Sequence, residues 1–406
     1  MRILVLDTIH GGKEIGEAFA AEGHTVDMVD VYRGTTPAEE KVAARRKYDL
    51  VVAPVHLDPD YPLLNAGSTP VISHHEAVRQ LLMNRTPFPM IEITGARGKT
   101  TTAHALASLL PGKGILHTST GTYRFPGGEL ITKQSITPAS VLSAARYARE
   151  MDGWLIAEES LGVTGVGDLA IITSEEDYSF AGGKKSALAT KLASAEHSKK
   201  LLVAENIPIN HPQVIHVEDV VRCDEMHCTV AFGGMNFSLS NPLFVIPPYR
   251  SALSLAATAA MILHVNPTPL NTFTALPGRM SVQHAGDVIV VDNSNSGTNV
   301  ATTLCAARYA RYCAGTNDLT LVIGQAEDDG AVCEGFSDEQ VQYAIDHIHP
   351  IRVIRVGTAA TGRESALAQG HRDSYDEVCE TLEEGRSLSV QTTKRGSIVL
   401  AVKTWR

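Results

Sequence analysis

The sequence predicts an α/β protein with three domains, each built on a largely parallel sheet. Short β-branched runs alternate with amphipathic stretches along most of the chain, which is typical of βαβ units. At 406 residues the chain is too long for one ordinary core, so two or three domains are expected. A glycine-rich loop lies between a predicted strand and a predicted helix, as in α/β proteins that bind phosphate.

The first domain, predicted over residues 1–87, is a small Rossmann-like unit. Its β-branched runs predict four strands, and the stretches between the first three predict two helices. The strands are expected at 2–7, 24–32, 49–55 and 70–73, and the helices at 13–22 and 36–47.

The second and largest domain is predicted over 88–283. Its parallel strands are expected at 89–94, 154–158, 168–173 and about 200–204, with helices at 100–110, 184–198, 250–264 and, briefly, 267–275. Residues 228–240 alternate in polarity about a Gly-Gly pair, which predicts an antiparallel hairpin.

The third domain, predicted over 284–406, is a second Rossmann-like unit. Strands are expected at 287–292, 319–323, 351–356 and 397–402, and helices at 298–313, 337–348 and 374–384.

Charge and hydropathy exclude several functional classes. The formal net charge is -10, and no block of lysine and arginine supplies a surface for nucleic acid. No apolar run reaches the roughly 20 residues that cross a bilayer. The first residues read as a strand and a glycine turn rather than a signal peptide. A cytoplasmic protein that binds neither nucleic acid nor membrane is therefore expected.

The six cysteines are scattered rather than spaced as a disulfide framework, so reduced thiols are expected. Cys223 and Cys228, with His227 between them, superficially suggest a metal site. No second pair of ligands follows, so a zinc site is disfavoured.

The most informative motif is the run from Thr94 to Thr102, TGARGKTTT. Glycines let backbone N–H groups approach phosphate oxygens, and the start of the following helix adds favourable partial charge. Lys99 is expected to bridge the terminal phosphates, and the Thr100 hydroxyl to reach Mg²⁺. The spacing is a short G-x-x-G-K-T form rather than the common P-loop. The expected ATP-binding residues here are Gly95, Ala96, Arg97, Gly98, Lys99, Thr100 and Thr101.

Weaker signals lie at other loop positions. The turn His10-Gly11-Gly12 follows the first strand, where α/β sheets usually bind ligands, and is a candidate for holding a substrate carboxylate; a plain turn is the alternative. His74-His75 is interpreted as a surface pair rather than a ligand site. Gly182-Gly183-Lys184-Lys185 has two interpretations, a contact to an anionic substrate or a solvated turn, and the sequence does not decide between them.

The short phosphate loop resembles that of the Mur ligases and folylpolyglutamate synthetases. Ala157-Glu158-Glu159-Ser160, the segment 186–194, Leu276-Pro277-Gly278-Arg279-Met280 and Asp292-Asn293-Ser294-Asn295 are similar to further landmarks of that superfamily, in the same order. The resemblance implies a Mur-ligase-like, three-domain fold with a central P-loop ATPase domain.

The resemblance also implies roles for single residues. Glu158, with Glu159 as its rival, would bind Mg²⁺ together with Thr100, and Lys191 would be carbamylated beside the metal. Arg279 would meet the γ-phosphate, and Asp292 and Asn295 would contact the nucleotide. ATP and one or two Mg²⁺ ions are the cofactors implied, with Lys99, Lys191 and Arg279 as the catalytic group.

Within this superfamily the chain most resembles the coenzyme F-430 synthetase family. The resemblance is carried by Leu6-Asp7…His10-Gly11-Gly12, Val31-Tyr32-Arg33, Glu158-Glu159-Ser160-Leu161-Gly162, Glu176-Asp177-Tyr178…Ala181-Gly182-Gly183-Lys184-Lys185-Ser186-Ala187 and Asp292-Asn293-Ser294-Asn295-Ser296-Gly297. It implies an ATP-dependent cyclase that activates a propionate of a nickel tetrapyrrole as an acyl phosphate and closes a carbocycle. Nickel would then arrive only as part of the substrate.

Two alternatives remain at this level. One is an amide-forming Mur-type ligase acting on a peptide, nucleotide-sugar or amino-acid substrate. The other is a regulatory protein that only binds ATP, which the joint presence of Lys99, Glu158, Lys191 and Arg279 disfavours. The sequence does not determine the oligomeric state.

Overall fold

The computed structural model describes residues 1–32, 37–64, 68–295, 297–326, 336–357 and 376–404. The chain forms two compact units, one of residues 1–244 with 248–273 and one of residues 245–247 with 274–406. Arg33, Ser296 and Cys333, and parts of the helices predicted at 36–47 and 374–384, lie outside the described residues.

The first unit opens with a parallel four-stranded sheet in the order β2-β1-β3-β4. Its strands are β1 Arg2–Leu6, β2 Thr25–Val29, β3 Leu50–Ala53 and β4 Val71–Ser73, and its helices are α1 Gly12–Ala21, α2 Pro37–Ala44 and α3 His74–Leu82. Side chains alternate across β1, so Ile3 and Val5 pack with α1 and α3 while Leu4 and Leu6 pack on the opposite face. All four predicted strands of this sheet are confirmed.

A second, eight-stranded sheet in the same unit positions the phosphate loop. Its order is β14-β13-β10-β5-β9-β6-β7-β8. The strands are β5 Met90–Thr94, β6 Gly114–Thr118, β7 Gly121–Phe125, β8 Glu129–Thr132, β9 Trp154–Glu158, β10 Leu169–Ile172, β13 Leu201–Val203 and β14 Val214–His216, with a short hairpin of β11 Ser179–Phe180 and β12 Lys185–Ser186 beside it. The antiparallel β6-β7-β8 edge was not predicted.

Helices α4 Lys99–Ala107, α5 Ser140–Glu150, α6 Ala187–Ala195 and α7 Val217–Val220 connect these strands. Ile15 and Val78 of the first sheet's helices share one hydrophobic core with Ala144 of α5 and Leu155 of β9. The first two sheets are therefore joined through a continuous core.

A small antiparallel sheet completes the first unit. It consists of β15 Val221–Cys223, β16 His227–Phe232 and β17 Met235–Ser240, and the long helix α8 Pro247–Ile262 follows. The predicted hairpin at 228–240 is confirmed. The expectation of reduced thiols is wrong for one pair, because Cys223 and Cys228 form a disulfide. These residues face each other in the register of β15 and β16, so strand pairing brings their sulfur atoms together. Because both thiols are used in the disulfide, this pair does not bind zinc.

The second unit is a six-stranded sheet in the order β18-β19-β23-β20-β21-β22. The strands are β18 Ser281–Ala285, β19 Val288–Asp292, β20 Leu319–Gln325, β21 Arg352–Val356, β22 Glu377–Cys379 and β23 Gly396–Lys403, and the helices are α9 Val300–Ala314, α10 Asp338–Ile348 and α11 Leu382–Thr392. Strand β23 lies at its centre and is almost wholly buried.

One predicted helix of this unit is misplaced. The prediction of a helix at 374–384 is wrong, because residues 377–379 pair with β21 as an edge strand. The helix begins after Thr381, whose hydroxyl accepts a hydrogen bond from Glu384 N while the Glu384 carboxylate caps Thr381 N. This capping box was the start signal in the sequence.

Among the described residues, no helix is long and apolar enough to cross a membrane. The domain boundaries predicted at 87/88 and 283/284 remain predictions, and the second of them falls inside β18.

Candidate functional site

The phosphate loop connects the buried strand β5 to helix α4. Gly98 caps α4 in the left-handed region at φ 82° and contributes no side-chain cap, so the first N–H groups of the helix are available to an anion. Gly95 has φ 149°, and a Cβ there would lie 2.1 Å from Thr173 Oγ1, so only glycine fits. Ser174 Oγ accepts hydrogen bonds from Ala96 N at 3.0 Å and Arg97 N at 3.2 Å. These two bonds fix the backbone conformation of the loop.

Three of the predicted site residues meet where the loop, α4 and β9 converge. Thr100 Oγ1 donates to Glu158 Oε2 at 2.9 Å, and Lys99 Nζ lies 3.9 Å from Glu158 Oε1 and 3.0 Å from Gly95 O. Ser119 N also donates to Glu158 Oε2, at 3.1 Å. The strand order explains this meeting, because β5 and β9 are parallel neighbours whose carboxyl ends lie at one edge.

The geometry separates the two rival glutamates. Glu158 faces Lys99 and Thr100, whereas Glu159 is fully buried and points away toward the buried Glu92. Burial, reinforced by the Glu92 carboxylate, raises the pKa of Glu159 well above its ordinary value. Burial thus disfavours the charged form of Glu159, and Glu158 is the glutamate suited to a cation.

Lys191 is buried on α6, with 1% of its surface exposed. Its ammonium nitrogen has no hydrogen-bond partner among the described residues and lies 4.8 Å from the centroid of the Tyr178 ring. Burial, with the nearby Lys99 charge as a second cause, lowers the pKa of Lys191 to about 8. A substantial fraction of this amine is thus neutral near physiological pH.

Two acidic residues shape the surroundings of this lysine. Glu176 Oε1 pairs with Arg97 Nη2 at 2.9 Å, which fixes the loop arginine. Asp177 accepts from Leu188 N at 2.8 Å and from Ser186 Oγ at 2.7 Å, so it anchors the start of α6. Thr101, the last predicted loop residue, is buried in the first turn of α4.

The remaining predicted nucleotide ligands belong to the second unit. Asp292 ends β19, and its Oδ1 accepts from Ser294 N at 2.9 Å. Asn295 Nδ2 donates to Gly278 O at 2.7 Å, so the turn after β19 holds the loop that carries Arg279. Within this unit the structure thus brings together the two segments that the sequence assigned to nucleotide binding.

The turn His10-Gly11-Gly12 follows β1 at the start of α1, as predicted for a ligand site. A Cβ on Gly12 would lie 1.7 Å from Asp7 O, so glycine is required for α1 to begin this close to β1. A cavity of about 300 Å³ lies beside the turn. Its lining includes His10, His56, Thr137, Ser160 and Leu161.

The interpretation of His74-His75 as a surface pair is wrong. Both rings are buried, with His74 Nε2 3.1 Å from Leu6 O and His75 Nε2 3.0 Å from Ser160 O. Burial lowers the pKa of each to about 4, so both rings are neutral. His75 thereby links the first sheet to the segment that follows Glu158.

The glycine–lysine turn also has defined contacts. Lys184 Nζ forms an ion pair with Asp58 Oδ1 at 2.7 Å, and Lys185 Nζ donates to Val55 O at 2.8 Å. Both lysines therefore bind the segment after β3, and neither is simply a solvated turn residue.

Sequence reasoning missed several participants because they carry no local motif. Asp7 and His56 lie next to His10, and Ser119 and Ser174 support the phosphate loop. Of these four residues, only Asp7 belongs to a motif that carries the family resemblance, and the sequence predicts no role for it.

The sheet and this loop define a P-loop protein with the Mur-ligase fold. Folylpolyglutamate-type E. coli FolC in complex with ADP superposes with a TM-score of 0.59 at 15% identity, covering 81% of this chain and 90% of that one. The MurF-type ligase from Acinetobacter baumannii gives a TM-score of 0.56 at 15% identity over 81% and 74% of the two chains. MurC from Thermotoga maritima gives 0.53 at 12% identity over 99% and 95%.

The sequence identifies the family within this fold. Residues 282–404 match the family described as the C-terminal domain of coenzyme F430 synthetase CfbE. Coenzyme F(430) synthetase from Methanosarcina acetivorans is 33% identical, covering 84% of this chain and 86% of that protein. The protein of the same name from Methanocaldococcus jannaschii is 25% identical over 92% and 95%. The chain belongs to the coenzyme F(430) synthetase family.

Proposed function

We propose that this protein is an ATP-dependent ligase that makes coenzyme F-430 by ring closure. It activates a propionate carboxylate of a nickel-containing seco tetrapyrrole as an acyl phosphate, closes a carbocycle, and releases ADP and phosphate. Family membership supports the reaction. The observation that carries the mechanism is the convergence of Lys99, Thr100 and Glu158 at an open helix start. The proposed compartment is the cytoplasm.

The residues at this point fit a magnesium ion. Mg²⁺ prefers hard oxygen ligands, and Thr100 Oγ1 and Glu158 Oε2 are two such atoms only 2.9 Å apart. We assign Thr100 and Glu158 as its protein ligands. When bound, the ion would neutralise charge on the phosphate oxygens of ATP.

Acyl activation brings together two anions, the substrate carboxylate and the γ-phosphoryl group. In our proposal the N–H groups in the first turn of α4 bind the phosphates, since Ser174 Oγ already accepts from Ala96 N and Arg97 N, and the Lys99 ammonium neutralises the charge that develops as the phosphoryl group is transferred. Arg97 adds a second cation at the loop, oriented by Glu176. By resemblance to the superfamily, Arg279 neutralises the γ-phosphate, and Asp292 and Asn295 bind the nucleotide.

We propose that Lys191 is carbamylated in the active enzyme. Carbon dioxide reacts with a neutral amine, and a buried, unpartnered Lys191 with a pKa of about 8 supplies one. The carbamate would turn a cation into an anion, which supports a second Mg²⁺ better than an ammonium would.

The substrate is proposed to bind beside the first sheet. Asp7 Oδ1 already accepts from His10 N, but helix α1 has no side-chain cap at Gly11, so the N–H groups that follow His10 at the helix start are offered to a substrate carboxylate. The cavity next to this turn reaches Ser160, which directly follows Glu158 and Glu159. This continuity would place a bound carboxylate near the edge that carries the phosphate loop.

Ring closure depends mainly on how the enzyme orients the two reacting groups of the substrate. The nucleophilic carbon belongs to the same molecule as the acyl phosphate, so fixing both ends contributes up to about 7–11 kcal/mol in ideal intramolecular cases. We propose that residues 1–87 hold the macrocycle, that 88–283 bind ATP, and that 284–406 form the ligase domain.

The loop assignment is tested by Lys99→Ala. We expect loss of turnover by at least about 10²–10³-fold with unchanged thermal unfolding, because one charge-stabilising donor contributes this much in enzyme sites. Lys199→Ala is the matched control. Lys199 is exposed, and it forms an ion pair with Asp168 at the start of β10, the end opposite the phosphate loop. A Lys99→Ala enzyme with near-normal ATP-dependent activity contradicts the assignment.

The substrate assignment is tested by phosphate release. Purified protein with ATP and Mg²⁺ is mixed either with the seco nickel tetrapyrrole acid or with amino-acid acceptors. We expect release only with the tetrapyrrole. Release only with amino acids would instead establish an amide-forming Mur-type ligase.

A further inference from the structure

A buried carboxylate orients an imidazole at the end of β1. Asp7 is fully buried in the left-handed region, at φ 75°. Its Oδ1 accepts hydrogen bonds from Ile9 N at 2.9 Å and His10 N at 3.2 Å. Its Oδ2 lies 2.8 Å from His10 Nδ1. Because an ionised carboxylate only accepts, this contact selects the neutral tautomer of His10 with the proton on Nδ1, which leaves Nε2 as the ligand nitrogen.

This imidazole is fixed on its flanks and open at its tip. The His10 ring meets the edge of Tyr32 at 5.2 Å and of His56 at 4.8 Å, measured between ring centroids. Its side chain is nevertheless 44% exposed, while Asp7 beneath it is not exposed at all. No hydrogen bond to His10 Nε2 occurs among the residues that the structure describes. The free lone pair therefore lies on a rigid ring within reach of a ligand.

A carboxylate bonded to one imidazole nitrogen, with the other nitrogen open, is the arrangement that orients histidine ligands of metals. We propose that His10 Nε2 is an axial ligand to the nickel of the tetrapyrrole substrate, with Asp7 as its positioning residue. This inference rests on the proposed function and adds to it the contact that holds the macrocycle.

The contacts of His10 favour a metal whose other coordination positions are already filled by a macrocycle, rather than a free ion. Ligand atoms of Asp7, His10 and His56 lie within 4.8 Å of one another, so a free ion bound by all three is the rival. That rival requires Asp7 Oδ2 to exchange its hydrogen bond with His10 for the ion. His56 Nε2 also lies 3.8 Å from this same Asp7 oxygen. A single open nitrogen suits the axial position of a macrocyclic nickel better.

The position suits catalysis as well. His10 and Ser160 line the same cavity, and Ser160 is two residues beyond Glu158. A macrocycle anchored through its metal at His10 has its centre fixed next to the edge where the phosphate loop lies. The propionate of the bound macrocycle is then restricted to a small volume near the γ-phosphoryl group. This restriction provides the orientation that cyclisation requires.

The test measures nickel coordination without ATP. The seco nickel tetrapyrrole acid is added to the protein, and its optical spectrum and nickel X-ray absorption edge are recorded. We expect the wild type to add an axial nitrogen ligand, and His10→Ala and His10→Gln to lose it. Imidazole in the buffer should restore the signal in His10→Ala. Asp7→Asn should weaken binding by about 10–100-fold. His56→Ala should keep the axial signal.

Two results overturn the inference. One is an unchanged axial signal in both His10 variants, with folding verified by thermal unfolding. The other is saturable binding of Ni²⁺ from nickel chloride that Asp7→Asn, His10→Ala and His56→Ala each abolish, while the macrocycle gains no axial ligand; this result would establish a free-ion site. Phosphate release by the wild type is measured in parallel. Its absence with the tetrapyrrole counts against the proposed function, whereas normal release without axial ligation counts against this inference alone.

Discussion

Two adjacent glutamates at the end of β9 differ in chemistry because a strand turns alternate side chains to opposite faces. Glu158 accepts from Thr100 Oγ1 and Ser119 N and is close to the Lys99 charge. Glu159 is fully buried and shares the interior with Glu92; burial and this neighbouring carboxylate raise the pKa of Glu159. The sequence left both open as metal ligands, and only the environment distinguishes them.

This difference predicts opposite outcomes for two conservative variants. Glu158→Gln removes a charged oxygen ligand, so we expect kcat to fall by about 10²–10³-fold and the Mg²⁺ requirement to rise. Glu159→Gln replaces a buried carboxyl group that faces Glu92 by an amide of the same shape, away from Lys99 and Thr100, so we expect near wild-type kcat. Steady-state kinetics across a magnesium titration checks both. Equal losses in the two variants would contradict the assignment.

Lys191 predicts a dependence on carbon dioxide and pH. Burial lowers the pKa of this lysine to about 8, so its neutral fraction, and the rate of carbamylation, should rise as pH increases through 8. Enzyme prepared in CO₂-free buffer should therefore be weakly active and recover on adding bicarbonate, faster at pH 8.5 than at pH 6.5.

The matched variants separate the carbamate from a packing role. Lys191→Ala should lose activity and regain part of it with short-chain carboxylic acids, whereas Lys199→Ala should respond to bicarbonate as the wild type does. Full activity of Lys191→Ala without added acid would remove this lysine from the mechanism.

At the scale of elements, local signals determined how much could be predicted. The buried parallel strand β10 is a continuous apolar run, β5 alternates isoleucines with polar residues, and the glycine loop marks where α4 begins; all three were predicted. Strands β7 and β8 were missed because they are partly exposed, alternate weakly in polarity and pair antiparallel. The helix at 382–392 was placed too early because β22 has only three residues.

Site residues followed the same rule. Lys99 and Thr100 stand in a motif that carries its own mechanism, whereas Asp7 and His56 meet only because β1 and β3 are neighbours. The burial of His74 and His75 likewise depends on two sheets sharing one core. Such tertiary effects leave no trace in sequence spacing.

The disulfide predicts a local, separable contribution to stability. Cys223–Cys228 closes a loop of only a few residues, for which the loss of chain entropy in the unfolded state corresponds to about 2 kcal/mol. A reductant should lower the Tm of the wild type but not of the Cys223→Ala/Cys228→Ala variant. Activity should persist, because β15–β17 carry none of the candidate site residues. An unchanged wild-type Tm, with free Cys223 and Cys228 found by thiol labelling, would contradict the pairing.

At the scale of the whole molecule, the proposed function requires a chain with net charge -10 to bind a nucleoside triphosphate and a carboxylate-bearing substrate. Its overall field opposes both ligands, so affinity has to come from a few cations held at fixed places. In the first unit these are Lys99 and the Arg97 that Glu176 orients. In the second unit, Arg279 sits on a loop that Asn295 holds through Gly278 O.

This distribution predicts that Arg279 matters for the transition state rather than for stability. Arg279→Ala should lower kcat by about 10²–10³-fold with little change in Tm, because the guanidinium stabilises charge that develops only during phosphoryl transfer. Arg395→Ala, which removes an 86% exposed arginine from the same unit, is the matched control. Asn295→Ala should give part of the same loss, since its amide holds the loop without touching phosphate in this proposal. If Arg279→Ala instead raised only the KM for ATP and left kcat intact, the arginine would bind the ground state alone, and the charge that builds on the transferring group would have to be met by Lys99 and magnesium.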